Sequence, residues 1–286
     1  MEKIQGFNKV NIVGNVVNYT IYKFKSGKRK AEIGIKDELT NNVCYAQMFE
    51  NNNMTYDGRS VNLDTLKRIF LDGNDKPRGV LVKCTGRVSE NRYISTKSGE
   101  EVVSTKPTLW RINPYNDLED QQVTFNITGI VENIKTIKDD TEVVIRIGIP
   151  TTNKDKEFNG IEFLTVYADG NIKEKIEDAD IDKGYQISVA GDILNKLPKR
   201  DKYGDVVEGS VAEKGFKIMS LKKKIVEPDD LDMDLYNELK AAIKQDKSKD
   251  NKSNKKQNKD VSVMSDKQDL NGEAGSDAEG LDGLDF

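Results

Sequence analysis

The chain has 286 residues, a formal net charge of −4 and no histidine. Without histidine, the chain lacks the commonest general base and the commonest metal ligand. No phosphate-binding, dinucleotide-binding or nucleophile-elbow motif occurs either. Together these two observations favour a binding protein without a cofactor over an enzyme. No run of 18 apolar residues and no apolar signal-peptide core is present, and Cys44 and Cys84 lie apart in strand-like segments. We therefore expect a cytoplasmic protein with two buried thiols.

Charge is distributed unevenly along the chain. Residues 1–116 carry a net charge of +7, residues 117–225 carry −4 and residues 226–286 carry −7. A basic first part indicates a polyanionic ligand, and an acidic end indicates a segment that competes for the basic surface or addresses a basic partner.

The first half of the chain predicts three strands, a helix and two further strands. The strand segments are short, rich in Val, Ile, Tyr and Phe, and roughly alternating, and Val61–Leu71 places its apolar residues on one helical face. Glycines inside the strands, such as Gly14 and Gly86, predict bulges or bends. The strand segments are residues 10–18, 33–35, 43–49, 79–86 and Lys106–Ile112.

The second half repeats the first. Four blocks match in the same order, with a helix-like stretch at Asn171–Asp180 and a last strand at Phe216–Leu221, which indicates two copies of one domain. The matches are Gly14 with Gly129 at an offset of 115, Ile33–Ile35 with Ile147–Ile149 at 114, Val43–Phe49 with Ile161–Tyr167, and Gly79–Gly86 with Gly184–Gly191 at 105.

Three strands, a helix and two more strands is the order of the OB fold, a five-stranded Greek-key barrel. The predicted fold class is therefore mainly all-β, with two tandem five-stranded OB-fold barrels, each with a helix between strands 3 and 4. We expect a basic barrel in residues 1–116, a second barrel in 117–225, a helical segment in 226–244 that packs on the second barrel or stands free, and a disordered tail in 245–286.

The tail ends in an acidic, apolar tip. Phe286 and Leu284 can enter an apolar pocket of a partner, while Asp282, Asp285 and the terminal carboxylate meet basic residues around it. An accidental polar tail without a docking role is the alternative.

Several segments resemble bacterial and phage single-stranded DNA-binding proteins. The opening strand of that family is similar to Gly6–Val17, its tyrosine-glycine hairpin to Tyr22–Ile35, its fourth strand and charged hairpin to Gly86–Glu100, and its acidic tip to the last residues here. The resemblance implies a protein that coats single-stranded DNA in replication, repair and recombination, and recruits polymerase, primase or helicase through its tip. It also implies stacking roles for Phe49 and Tyr93, whereas Val43 replaces a frequent tryptophan.

A basic groove with aromatic platforms is what a sequence-tolerant single-strand binder needs. Phe49 and Trp110 are alternatively core residues, and Lys28, Arg29 and Lys30 are alternatively a solvated turn. The second copy is poorer in such residues, although Tyr167 matches Phe49. The predicted contact residues are Tyr22, Phe24, Lys28, Arg29, Lys30, Phe49, Arg87, Arg92, Tyr93, Lys97 and Trp110.

Two other functions stay open at this point. The barrels could form a protein-interaction adaptor, or they could bind RNA, because the fold serves all three purposes. Self-association through barrel edges would produce a homo-oligomer.

Overall fold

The computed structural model describes residues 1–24, 26–50, 54–94, 101–137, 140–152, 158–196, 213–222 and 224–243. Residues 1–243 form one compact unit. The tip residues Asp282, Leu284, Asp285 and Phe286 lie outside the described residues, as do the rest of the predicted disordered tail and Lys97.

The first repeat is a closed five-stranded barrel, as the sequence predicts. Strand β1 pairs with β2 and β6, β2 pairs with β3, and β6 pairs with β7, all antiparallel, and the parallel pair β3–β7 closes the ring. A small hairpin, β4–β5, extends the β7 edge. The elements are β1 Phe7–Lys23, β2 Arg29–Asp37, β3 Asn42–Phe49, β4 Thr55–Tyr56, β5 Arg59–Ser60, α1 Leu63–Phe70, β6 Leu81–Ile94 and β7 Glu101–Pro114.

Helix α1 packs its apolar face against the core of this barrel. Asn62 caps it by accepting a hydrogen bond from the backbone N–H of Thr65 at 2.8 Å. Leu63 and Phe70 are fully buried on one face of the helix, and the hydroxyl of buried Tyr19 donates to the carbonyl of Leu63 at 2.9 Å. The predicted helix is therefore confirmed between the third and fourth long strands of the barrel.

The second repeat has the same order and closure. Its elements are β8 Gln122–Ile137, β9 Glu142–Thr152, β10 Phe158–Asp169, α2 Gly170–Asp178, β11 Gln186–Lys196 and β12 Glu213–Leu221. Antiparallel pairs link β8 with β9 and β11, β9 with β10, and β11 with β12, and the parallel pair β10–β12 closes the ring.

The two barrels share one continuous sheet. Strands β1 and β8 pair antiparallel from Phe7 opposite Thr128 to Val13 opposite Gln122. Val10 faces Phe125, and these two residues occupy equivalent positions in the two repeats, so a local two-fold axis passes between them. Backbone pairing of this kind fixes the orientation of one barrel against the other.

The first strands of the repeats align as the sequence predicts. The register of β1 shifts between Val16 and Asn18, and that of β8 shifts between Val131 and Asn133. A bulge at the same place in both strands confirms the offset of 115.

The second strands align differently from the prediction. Asn18 pairs with Gly34, whereas its equivalent Asn133 pairs with Arg146. Gly34 therefore corresponds to Arg146, and the predicted match of Gly34 with Gly148 is wrong by two residues. A slip of two residues keeps the same side chains on the same face, so an alternating pattern cannot reveal it.

The third strands are also shifted. Gln47 pairs with Thr108, and Tyr167 pairs with Lys217. Thr108 and Lys217 occupy equivalent positions beside the bulge that both repeats have between their last two strands. Tyr167 therefore corresponds to Gln47, and its predicted match with Phe49 is wrong.

The segment after the second barrel packs on that barrel. Residues 228–230 form a 3-10 turn and residues 234–243 form a helix, α3. Tyr236 of α3 is 3% exposed and its hydroxyl donates to Glu132 of β8. Among the described residues, no helix is long and apolar enough to cross a membrane.

Candidate nucleic-acid interface

Three predicted contact residues lie side by side on the outer face of the first barrel. Tyr22 of β1 pairs with Lys30 of β2, and Lys30 pairs with Phe49 of β3. Paired residues share a face of the sheet, and the flanking Ala31 is fully buried on the opposite face. Gln47 of β3 pairs with Thr108 of β7, and Trp110 lies two residues after Thr108 on β7. The aromatic row consists of Tyr22, Lys30, Phe49 and Trp110.

The aromatic row is accessible and contains a cation. Tyr22 of the row and Phe24, which lies just after the end of β1, are each 44% exposed. The Lys30 Nζ lies 5.6 Å from the ring centroid of Tyr22 and 5.7 Å from that of Phe24. Phe49 and Trp110 are half-buried and are not among the buried core residues. The cation–π contacts hold the ammonium group among the rings, where a phosphate can reach it.

Lys28 and Arg29 have different surroundings although they are neighbours in sequence. Lys28 is exposed in the turn between β1 and β2. The Arg29 guanidinium binds Asp64 of α1 at 2.7 Å and Glu50 at 3.1 Å, and it holds the pKa of the Asp64 carboxyl below its usual value. The charge of Arg29 is thus balanced by two carboxylates at the surface, and the residue links the β1–β2 hairpin to the helix.

Arg87 connects the repeats. Its guanidinium lies 3.1 Å from the carboxylate of Glu162 on β10 of the second barrel. Further along β6, the backbones of Arg92 and Tyr93 continue the pairing with β7. The side chains of Arg92 and Tyr93, like all of Lys97, are outside what the structure describes.

Tyr45 was not among the contact residues predicted from the sequence. This residue of β3 is 40% exposed on the same outer face, and its Cε1 lies 3.2 Å from the place where a Cβ on Gly34 would stand. Its ring therefore rests on the backbone of β2, and a larger residue at position 34 would displace it. The spacing of Tyr45, Gln47 and Phe49 by two residues is the signal that could have identified it.

A polar row separates Tyr45 from the aromatic row. Thr20 pairs with Glu32, and Glu32 pairs with Gln47, whose Nε2 donates to the Thr108 hydroxyl at 3.2 Å. The Glu32 carboxylate forms an ion pair with Lys106 of β7. This face therefore presents rings, a lysine and hydrogen-bonding groups across four neighbouring strands.

The second barrel carries different chemistry at the equivalent positions. Ile137 pairs with Glu142, Glu142 pairs with Asp169, and Met219 is the bulge residue that corresponds to Trp110. Two carboxylates and two aliphatic side chains thus replace the three rings and the lysine of the aromatic row. The repeats share a backbone but differ in the face that they present.

The two cysteines are buried inside the first barrel, as predicted: Cys44 is 2% exposed and Cys84 is fully buried. Burial raises the pKa of the Cys44 thiol to about 12, which leaves the thiol unreactive at neutral pH. Within the described ranges, no group of three or more potential ligands could hold a metal ion.

No protein-family model and no curated protein matches the chain. Several solved structures are similar to it, among them two of one protein. Wild-type single-stranded DNA binding protein from Thermus aquaticus is 13% identical, with 77% of this chain and 94% of that chain covered and a TM-score of 0.48. A deletion mutant of the same protein with one further substitution is 14% identical, with 77% and 95% covered and a TM-score of 0.48. Such proteins are the class that the sequence resembles.

Proposed function

We propose that the chain binds single-stranded DNA with little sequence preference, through the outer face of its first barrel. The observation that carries this proposal is the contrast between the repeats. Tyr22, Lys30 and Phe49 lie in register on one barrel, with Trp110 on the next strand, and the same positions of the other barrel are aliphatic and acidic. Because both barrels close in the same way, closure does not require the aromatic row.

Stacking is the main interaction in this proposal. Tyr22 and Phe49 are two strands apart, roughly 10 Å, so they can hold different bases. Each stacked base contributes ~1–3 kcal/mol whatever its identity, because every base has a flat face. Lys30, between the rings, and Lys28, in the turn, supply charge for the phosphates, and Tyr45 adds a further platform.

We further propose that the protein coats single strands during replication, repair or recombination and recruits replication enzymes through Asp282, Leu284, Asp285 and Phe286. The sequence of the tip supports this role, since a terminal aromatic residue beside carboxylates suits a basic, pocketed surface. Arg92, Tyr93 and Lys97 extend the proposed contact set along the β6–β7 hairpin.

The decisive experiment compares four ligands at several salt concentrations. Binding to labelled oligo-dT should exceed binding to duplex DNA, and its log affinity should fall by ~0.7 per neutralised phosphate for each unit of log salt. Oligo-U tests the RNA alternative, and a random-sequence single strand tests sequence tolerance. Equal affinity for duplex and single strands would overturn the proposal.

A further inference from the structure

An ion pair lies in the middle of the face that we assign to single-stranded DNA. Glu32 faces outward from β2 between Thr20 and Gln47, and its carboxylate binds the ammonium group of Lys106 on β7. The Glu32 side chain is 19% exposed and that of Lys106 is 37% exposed, so the pair lies near the surface. Neither residue was among those predicted from the sequence to contact DNA.

The barrel does not need this pair in order to close. Val144 stands at the position of Glu32 in the second repeat, between Lys135 and Tyr167. Gly215 stands at the position of Lys106, two residues before Lys217 in β12. The second barrel forms the same ring of strands with no charge at either place. The pair is thus confined to the repeat whose face carries the rings.

A carboxylate is an unexpected group on a surface for a polyanion. It repels phosphates, and it also occupies a lysine that would otherwise attract them. Because the partners touch, the Glu32 carboxylate offsets the charge of the Lys106 ammonium group and repels a phosphate that approaches it.

We propose that Glu32 sequesters Lys106 and so limits the affinity of the first barrel for single-stranded DNA. The inference rests on the proposed function. Beside the residues that provide affinity for DNA, it identifies one residue, Glu32, that reduces this affinity. A limited affinity permits a coated strand to be released to enzymes that act on it.

The test is a double-mutant cycle on the full chain with labelled oligo-dT. Glu32→Gln should tighten binding and make the negative slope of log affinity against log salt steeper by ~0.7, because Lys106 then neutralises one more phosphate. Such a slope change corresponds to about five-fold more loss of affinity for each ten-fold rise in salt. Lys106→Gln should weaken binding, since the carboxylate is then unmatched, and the double variant should return to the wild-type slope.

Asp169→Asn is the matched control. Asp169 pairs with Lys217 at 2.7 Å on the corresponding face of the second barrel, so this variant makes the same change in net charge and also frees a lysine. Its slope should equal that of the wild type. An equally steeper slope for Asp169→Asn and Glu32→Gln would show an effect of net charge alone and would overturn the inference.

The remaining outcomes separate the inference from the proposed function. If Glu32→Gln leaves the slope unchanged or makes it shallower, or if the double variant has a steeper slope than the wild type, Glu32 does not sequester Lys106. If the wild type shows no salt-dependent single-strand binding, the proposed function itself fails. A melting curve for each variant verifies the fold, and should Glu32→Gln not fold, Glu32→Thr replaces it, because threonine suits a strand position and the same steeper slope is expected.

Discussion

Tyr22→Ala tests the aromatic row most directly. Tyr22 lies at the end of β1 with 44% of its surface exposed, so its removal leaves no cavity in the barrel core. Loss of a stacked base should cost ~1–3 kcal/mol, which is a ~5- to 150-fold increase in Kd for oligo-dT. The Lys30 ammonium would also lose one of its two rings, an effect of ~0.5–1 kcal/mol at an exposed site.

Ile137→Ala is the control for this variant, because Ile137 holds the position of Tyr22 in the second barrel. Fluorescence anisotropy with labelled oligo-dT gives the affinity of each variant, and thermal unfolding gives its stability. We expect both variants to melt near the wild type, and only Tyr22→Ala to lose affinity. An equal loss in the two variants, or a large fall in Tm for Tyr22→Ala without a change in Kd, would refute the assignment of the row to DNA.

Three further predictions concern other parts of the chain. Tyr45→Ala should raise the Kd for oligo-dT by ~5-fold or more in the same anisotropy assay; an unchanged Kd would remove Tyr45 from the site. Arg29→Gln should change stability more than affinity. Arg29 lowers the pKa of Asp64 in the folded state. The ion pair therefore stabilises the fold above the usual pKa of an aspartate, and this stabilisation is lost as pH falls through the lowered pKa. The variant should therefore lose less stability than the wild type during acid titration, and parallel curves would contradict this. Deletion of residues 281–286 should keep single-strand affinity equal or slightly higher, most visibly at low salt, and should abolish retrieval of polymerase, primase or helicase from the cognate extract. Retrieval of the same partners by the truncated protein would leave the tip without a recruiting role.

The strand order could be read from the sequence because it depends on strong local signals. The alternating strand segments and the apolar face of α1 both reflect side chains that face a core. Packing inside each barrel preserves these signals, so the two OB barrels were predictable without any tertiary information.

The exact register was not predictable, and the site depends on it. A shift of two residues leaves every side chain on the same face of the sheet. The sequence pattern therefore predicted that Tyr167 is equivalent to Phe49, whereas the strand pairing shows that it is equivalent to Gln47. For the same reason, the sequence did not predict that Tyr22, Lys30 and Phe49 lie in one row.

Long-range contacts could not be predicted for a different reason. The partners of Arg29 and Arg87, namely Asp64 and Glu162, are distant in sequence, and a charge pattern alone does not identify them.

The β1–β8 pairing gives the second barrel a role that does not require it to bind DNA. Residues Phe7–Val13 would form an unpaired strand edge on an isolated first barrel, and such edges invite aggregation. Strand β8 covers this edge, while Glu162 holds Arg87 at the root of the β6–β7 hairpin. The second repeat can therefore carry Glu142 and Asp169 at the positions of Lys30 and Phe49 and still be needed, because it completes the sheet that supports the aromatic row.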